Sequence, residues 1–116
     1  MIKDDRVYLD HIVESLHKIK SYSKDLELSD FITNTLVQDG LIRQFEVIGE
    51  ASKNLTKTLK SKYYDVDWAK ITGMRNKLIH EYFDIDLNIL WDAVHNDVPV
   101  LNALINRIIK DLEQNT

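Results

Sequence analysis

The sequence predicts an all-α fold, and three observations carry that prediction. Apolar residues recur at spacings of three and four along nearly all of the 116 residues. Glycine occurs three times and proline once, so residues that punctuate strands and turns are scarce. Only short polar stretches separate the periodic segments. We therefore expect a four- to five-helix up-down bundle with a long second helix and a kinked C-terminal helix, forming one domain over residues 1–116.

The first helix is predicted from about Asp4 to Ser23. Asp4 or Asp5 can cap it, because a carboxylate accepts hydrogen bonds from the free N–H groups of a first helical turn. The apolar spacing predicts the following buried face: Val7, Leu9, Ile12, Val13, Leu16 and Ile19. A polar connection over residues 23–27 follows.

The second helix is predicted to begin at Ser29 or Asp30 and to end near Leu59. Its core stripe reads Ile32, Leu36, Leu41, Phe45, Ile48, Leu55 and Leu59. Gly40 and Gly49 lie inside this helix, where each costs about 1 kcal/mol relative to alanine. A glycine retained at that cost suggests that another helix approaches closely, so we expect a packing notch at Gly49.

The rest of the chain is predicted to hold a loop over residues 61–66 and two further helices. Asp67 is expected to cap the third helix and Asp86 the fourth. The inward residues are predicted to be Trp68, Ile71, Met74 and Leu78 in the third helix, and Ile89, Leu90, Ala93 and Val94 in the fourth. Pro99 has no N–H to donate, so a kink or a restart capped by Asp97 is expected there. The core stripe then continues through Leu101, Leu104, Ile105, Ile108 and Leu112.

Composition excludes several kinds of chemistry. There is no cysteine, hence no disulfide, thiol nucleophile or zinc–thiolate site, which fits a reducing compartment. The first residues lack the apolar core of a signal peptide. No apolar run approaches the roughly 20 residues of a membrane span. We expect a cytoplasmic protein without membrane contact.

Charge is unevenly distributed along the chain. The chain carries a net −4, yet residues 51–77 hold seven basic and two acidic side chains, so this segment is +5 and the remainder −9. Such a strip can guide a polyanion. The alternative is an ordinary solvated helix face. The RNA-binding candidates in the strip are Lys53, Lys57, Lys70 and Lys77.

The basic strip leads into the most informative segment, residues 75–82. Arg75 keeps its charge at any physiological pH, and His80 is of the type best able to exchange protons near neutrality. On an ideal helix, Asn76 and His80 share one face, whereas Arg75 and His80 lie about 140° apart. Either the helix ends early, or the arginine wraps around, or a second copy of the chain completes the site.

Spacing alone leaves an ordinary structural interpretation open. Arginine and histidine five residues apart are common on helices. In that interpretation Arg75 pairs with a carboxylate, His80 is a partly buried hydrogen-bonded ring, and Tyr82 packs in the core with its hydroxyl at the surface.

The same residues match the Arg-x4-His-x-Tyr signature, and here the chain resembles the HEPN superfamily, in particular its HepT-like branch. The match includes the polar residue after the arginine, Asn76. Residues 8–12, 45–51 and 68–76 resemble the family's first helix, its second helix and the run-in to its motif.

The resemblance implies a dimeric helical bundle with a metal-independent endoribonuclease site at the dimer interface, requiring no cofactor. It further implies a toxin whose partner is a minimal nucleotidyltransferase antitoxin that transfers AMP to Tyr82. For RNA cleavage, His80 is the candidate acid or base and Arg75 the phosphate clamp. Asn76 is the candidate to orient His80 or donate to phosphate. The alternatives are a non-catalytic HEPN-like module that binds nucleotide or protein, and a structural bundle subunit.

Other polar groups are weaker candidates. His11 and His17 lie about 240° apart on one helix and cannot share a metal ion. His95 is expected to be an ordinary helix-end histidine. The carboxylate pairs Glu81/Asp84 and Glu46/Glu50 have spacings that permit a divalent ion, but a solvated acidic surface is the commoner use of such pairs, and no metal site is predicted.

Overall fold

Helices are the only regular elements in the residues that the structure, a computed structural model, describes: 4–74, 76 and 86–114. They are α1 (Asp5–Ser23), α2 (Leu28–Thr33), α3 (Thr35–Lys53), α4 (Lys57–Lys62), α5 (Trp68–Thr72), α6 (Leu87–Asp92), a π-helical turn (Ala93–Asp97) and α7 (Val98–Gln114). The predicted all-α class is confirmed. Within these ranges, no helix has the length and apolar character needed to cross a membrane.

Helix α1 forms as predicted, with one exception on its buried face. The Asp4 carboxylate accepts the Arg6 N–H at 3.0 Å and caps the helix. The residues buried on it include Leu9, Ile12, Leu16 and Ile19. Val7 was placed on this face wrongly: it is 43% exposed, because the helical repeat puts it on the opposite side of the helix.

The predicted continuous second helix is wrong at two points, the first being Asn34. Its backbone is not helical, and its side chain accepts the Val37 N–H at 3.1 Å to cap α3. The Gln38 amide donates to the carbonyls of Phe31 and Ile32, at 2.8 and 3.0 Å, which satisfies the end of α2. Two predicted core residues are exposed: Ile32 on α2, and Leu36, which the helical repeat puts nearly opposite the buried face of α3.

The second break separates α3 from α4 at residues 54–56. Thr56 caps α4 by accepting the Leu59 N–H at 3.2 Å. The N–H and hydroxyl of Thr56 donate to the Asp5 carboxylate at 2.8 and 2.6 Å. Asp5 therefore joins the start of α1 to the start of α4 instead of capping its own helix.

The long helices pack antiparallel around one core. The start of α1 contacts Thr56 beyond the end of α3, and Tyr22 near the end of α1 lies against Gly40 near the start of α3. Arg6 pairs with Glu113 at 3.1 Å, which ties the start of α1 to the end of α7. The largest fully buried side chains are Phe31, Phe45, Leu9, Ile12, Leu16, Ile19, Leu41, Ile48, Leu90, Ile105 and Ile108.

The irregularity predicted near Pro99 is a π-helical turn within a continuous helix. Backbone angles remain helical at Asp92, Ala93 and Val98, and the Val98 N–H donates to the Ala93 carbonyl. The proline ring would clash with the carbonyl four residues earlier in an α-helix, and the wider turn avoids this. The expected restart capped by Asp97 is wrong, since Asp97 lies inside the helix and its carboxylate pairs with Lys70 at 3.6 Å.

Candidate functional site

The predicted catalytic motif lies only partly in the described residues. Arg75, Lys77, His80 and Tyr82 lie outside them. Asn76 is helical and exposed, and its N–H donates to the Gly73 carbonyl at 3.0 Å. Met74 is buried, with 5% of its surface exposed. Of the described residues next to Arg75 in the chain, Met74 thus lies in the core and Asn76 at the surface.

A close helix contact fixes the approach to the motif. A Cβ atom on Gly49 would lie 3.1 Å from the Thr72 carbonyl oxygen, so α5 touches the backbone of α3 at this glycine. The predicted packing notch is confirmed. No larger residue fits there without moving α5, the helix that leads into residue 75.

Hydrogen bonds hold α5 in the same place. The hydroxyls of Ser52 and Thr72 are 3.0 Å apart, and Ser52 is fully buried. Asp67 caps α5 by accepting the Lys70 N–H at 3.0 Å, as predicted. The indole N–H of Trp68 donates to the Tyr63 carbonyl at 3.0 Å. The segment before the motif is thereby anchored at both ends.

The segment after the motif is anchored as well. Asp86 caps α6 by accepting the Ile89 N–H at 3.1 Å, as predicted. Leu90 is fully buried, and the Trp91 ring lies 5.0 Å from that of Phe31. The described chain on either side of residues 77–85 is thus attached to the core.

The predicted RNA-binding lysines differ in whether their amines form ion pairs with other described residues. Lys53 and Lys57 are exposed and, among the described residues, neither forms an ion pair. Lys70 is also exposed, but its amine pairs with Asp97. Lys60 donates to the Lys53 carbonyl at 3.5 Å. The charge available to a polyanion lies at the end of α3 and on α4.

Tyr64, just after α4 in the chain, is a further candidate that was not predicted from the sequence. Tyr64 is 86% exposed and follows the lysine-rich α4 by two residues. An exposed aromatic ring next to cationic side chains offers a face on which a nucleobase can stack. The signal in the sequence was the tyrosine pair directly after Lys60 and Lys62, within a segment interpreted only as a loop.

Metal ligands are not grouped in the described part of the chain. No set of three or more histidine, aspartate or glutamate side chains is placed there to hold an ion. His11 and His17 are exposed on α1.

The fold and motif together define a class of protein, the HEPN-type ribonucleases. In the sequence, Arg-x4-His-x-Tyr lies between α5 and α6, two helices that are both attached to the core of the bundle. The sequence profile of the family described as ribonuclease HepT-like matches residues 12–108, and the chain belongs to this family of endoribonucleases.

Individual relatives agree with that assignment. The chain is 42% identical over 115 residues to a Methanocaldococcus jannaschii protein named as a gamma-glutamylcyclotransferase and, provisionally, an RNase. That match covers 99% of this chain and 52% of the relative, so the chain spans about half of its length. A Caldanaerobacter subterraneus protein provisionally named an RNase is 35% identical, with 94% of this chain and 97% of the relative covered.

A third relative carries the family name itself. A Thermococcus cleftensis protein provisionally named ribonuclease HepT is 34% identical, over 95% of this chain and its own full length. No solved structure gives a significant match.

Proposed function

We propose that this chain is a cytoplasmic toxin ribonuclease that cuts RNA without a metal ion, at a site shared by two copies of the chain. One observation carries the proposal: Arg-x4-His-x-Tyr stands intact in a chain that belongs to the HepT-like ribonuclease family. A scaffold that only binds a partner has no chemical need for that arginine–histidine pair.

The proposed reaction uses the 2′-hydroxyl of the substrate as nucleophile. A base removes its proton, the 2′-oxygen bonds to phosphorus, and the bond to the 5′-oxygen breaks as that oxygen takes a proton from an acid. The products are a 2′,3′-cyclic phosphate and a 5′-hydroxyl. His80 exchanges the protons, and Arg75 stabilises the charge on the phosphoryl oxygens. Asn76 orients His80 or donates to the phosphate.

The shared site follows from the helical repeat. On a straight helix Arg75 and His80 point about 140° apart around the axis. The two side chains of one helix therefore do not easily contact the same phosphate. A two-fold axis brings the arginine of one chain near the histidine of the other. The surface position of Asn76, beside buried Met74, supports a site open to a partner chain.

We further propose that a minimal nucleotidyltransferase, encoded nearby, acts as antitoxin. It would transfer AMP from ATP to the Tyr82 hydroxyl, forming a phosphodiester and releasing pyrophosphate. The added bulk and negative charge would repel RNA. Intact-mass measurement after co-expression with the neighbouring reading frame tests this: one added AMP, absent in Tyr82→Phe, is expected, and an unmodified wild-type chain contradicts it.

The decisive experiment is incubation of the purified chain with total RNA in EDTA. We expect cleavage by the wild type and a loss of about 10²–10⁴-fold in His80→Ala, because proton transfer contributes that much. Arg75→Ala should be similarly impaired. His11→Ala and Arg43→Ala are matched controls, since both residues are exposed and lie outside the motif.

Two outcomes would contradict the proposal. Cleavage by His80→Ala at the wild-type rate removes histidine from the chemistry. Activity that disappears in EDTA and returns with a divalent ion removes the metal-free mechanism. A folded wild-type chain that cuts no RNA would favour the non-catalytic binding module.

A further inference from the structure

A groove of about 540 Å³ lies between α1 and the C-terminal helix. The second half of α1 forms one wall, residues 24–26 close one end, and the π-helical turn with the start of α7 forms the other wall. Its volume lies in the range of about 300–1,000 Å³ typical of small-molecule sites.

The floor of the groove is apolar. Leu16 and Ile19 from α1 face Val94 and Val98 from the opposite wall, and all four side chains are buried. Half-buried Asn102 adds one amide, whose Oδ1 is buried and has no hydrogen-bond partner in the described structure. A flat, largely apolar group with a few polar atoms suits such a floor.

The rim of the groove is basic. Lys20, Lys24, His17 and His95 line it and are exposed, against one carboxylate, Asp25. These basic side chains belong to the part of the chain, outside residues 51–77, whose formal charge is −9. Neither lysine forms an ion pair among the described residues, whereas Lys18, on the same helix but outside the groove, pairs with Glu14 at 3.4 Å. The charge pattern favours an anion.

Two backbone irregularities shape this rim. Asp25 adopts a left-handed conformation, φ 61°, which makes the tight turn that places Lys24 and Leu26 at the groove. The π-helical turn presents His95, whose Nδ1 lies 2.9 Å from the Trp91 carbonyl and whose ring lies 4.1 Å from the Trp91 ring. The Trp91 carbonyl can only accept, so Nδ1 donates to it, and in the neutral ring Nε2 is left as an acceptor, suited to a hydroxyl or amino group of a ligand. π-helical turns are frequent at functional sites.

We propose that this groove binds a nucleoside phosphate, with the base on the apolar floor and the phosphate at the rim beside Lys20 and Lys24. A free mononucleotide and the phosphorylated end of an RNA strand both present this group. The inference depends on the groove alone and stands apart from the proposed cleavage chemistry.

Titration of the ¹⁵N-labelled chain with AMP, followed by NMR, tests the proposal. We expect shifts at Ser23, Val94 and Asn102, and weaker binding of adenosine alone and of inorganic phosphate alone. The double variant Lys20→Gln/Lys24→Gln should weaken AMP binding about tenfold, because it removes both lysine charges from the rim and an exposed charge contact is worth only about 0.2–1 kcal/mol. Lys18→Gln removes one positive charge from the same helix outside the groove and should leave the affinity unchanged, whereas Lys20→Gln and Lys24→Gln made singly should each weaken binding.

A second arm distinguishes the two sources of the ligand. Short oligoribonucleotides with and without a terminal phosphate are titrated into the His80→Ala variant, which keeps the RNA intact. If only the phosphorylated strand perturbs the groove and AMP does not, the occupant is an RNA end. If neither AMP nor the phosphorylated strand perturbs groove residues, or if the double variant binds both as the wild type does, the proposal is overturned. Binding is read without cleavage, so an inactive enzyme leaves this test unaffected.

Discussion

At the scale of single residues, the neighbours Tyr63 and Tyr64 differ in burial. Tyr64 is 86% exposed, whereas Tyr63 is 6% exposed and its hydroxyl donates to Asp111 at 2.8 Å. Burial and, next, the hydrogen bond to Asp111 raise the pKa of the Tyr63 phenol above its ordinary value. Tyr63 thereby joins the loop after α4 to α7.

Tyr63→Phe should lower the free energy of unfolding by about 1.5 kcal/mol near pH 7, the low end of the range of about 1.5–3 kcal/mol for a hydrogen bond to a charged group, because the bond to Asp111 is only partly buried. Since the folded pKa is raised, this stabilisation is complete below the unfolded pKa of about 10 and is lost as pH rises through the folded value. Urea unfolding near pH 7 and near pH 11 should show the difference between wild type and variant shrinking at high pH. Tyr64→Phe is the control and should change stability by less than about 0.5 kcal/mol. An equal effect of both substitutions would contradict the assignment.

Residues whose role is local were predicted well from sequence. The caps at Asp4, Asp67 and Asp86 were correct, because a capping side chain bonds to an N–H two or three residues away. The exposure of Ile32 was not predicted, because it depends on where α2 lies relative to α3. Leu36 was assigned to the core wrongly, since the helical repeat of α3 already puts it opposite Leu41 and Phe45.

At the scale of elements, the contact between α3 and α5 makes two glycines of one helix unequal. A Cβ on Gly40 would meet the Tyr22 ring at 3.4 Å, an ordinary contact, whereas one on Gly49 would meet the Thr72 carbonyl oxygen at 3.1 Å. Gly40→Ala should therefore stabilise the protein by about 0.5–1 kcal/mol through helix propensity. Gly49→Ala should gain nothing or lose stability, because a hydrogen-bonded backbone must move. The midpoints of urea unfolding measure these changes in stability. An equal increase in stability for both variants would contradict the prediction, because it would show that α5 can move away from residue 49 at no cost.

The element boundaries that sequence missed depend on distant contacts. The break at Asn34 is held by Gln38 donating back to α2, and the break before α4 by Asp5, 51 residues away from Thr56. Neither bond can be inferred from the apolar period of α3. Pro99 did signal an irregularity, but a π-helical turn and a restarted helix both satisfy a missing N–H.

At the scale of the whole molecule, the free charge at the end of α3 and on α4 should govern RNA affinity. Lys53→Gln/Lys57→Gln, made in the uncleaving His80→Ala background, should weaken binding of single-stranded RNA and lower the log–log salt slope by about 1.4, at about 0.7 per phosphate contact. Lys70→Gln should lower the slope by less than the roughly 0.7 expected of one free lysine, because Asp97 already engages that amine. Fluorescence anisotropy at several salt concentrations measures this. Lys18→Gln is the control. If it weakened RNA binding as much as the loss of one of the two lysines does, RNA affinity would depend on the net charge of the chain and not on a local basic surface.

The proposed site shared by two chains is also a property of the whole molecule. It is hard to predict from one sequence, because half of each site would come from a second copy of the chain. If one chain's arginine works with the other's histidine, mixing Arg75→Ala with His80→Ala restores function. In a mixed dimer, one site then holds both substitutions and the other holds neither. With random exchange, half of the dimers are mixed, so activity should return to about a quarter of the wild-type value. RNA cleavage after co-refolding measures it, with each variant refolded alone as the control. If each chain carried a complete site, every site in the mixture would lack one residue, and activity would stay at the level of the single variants.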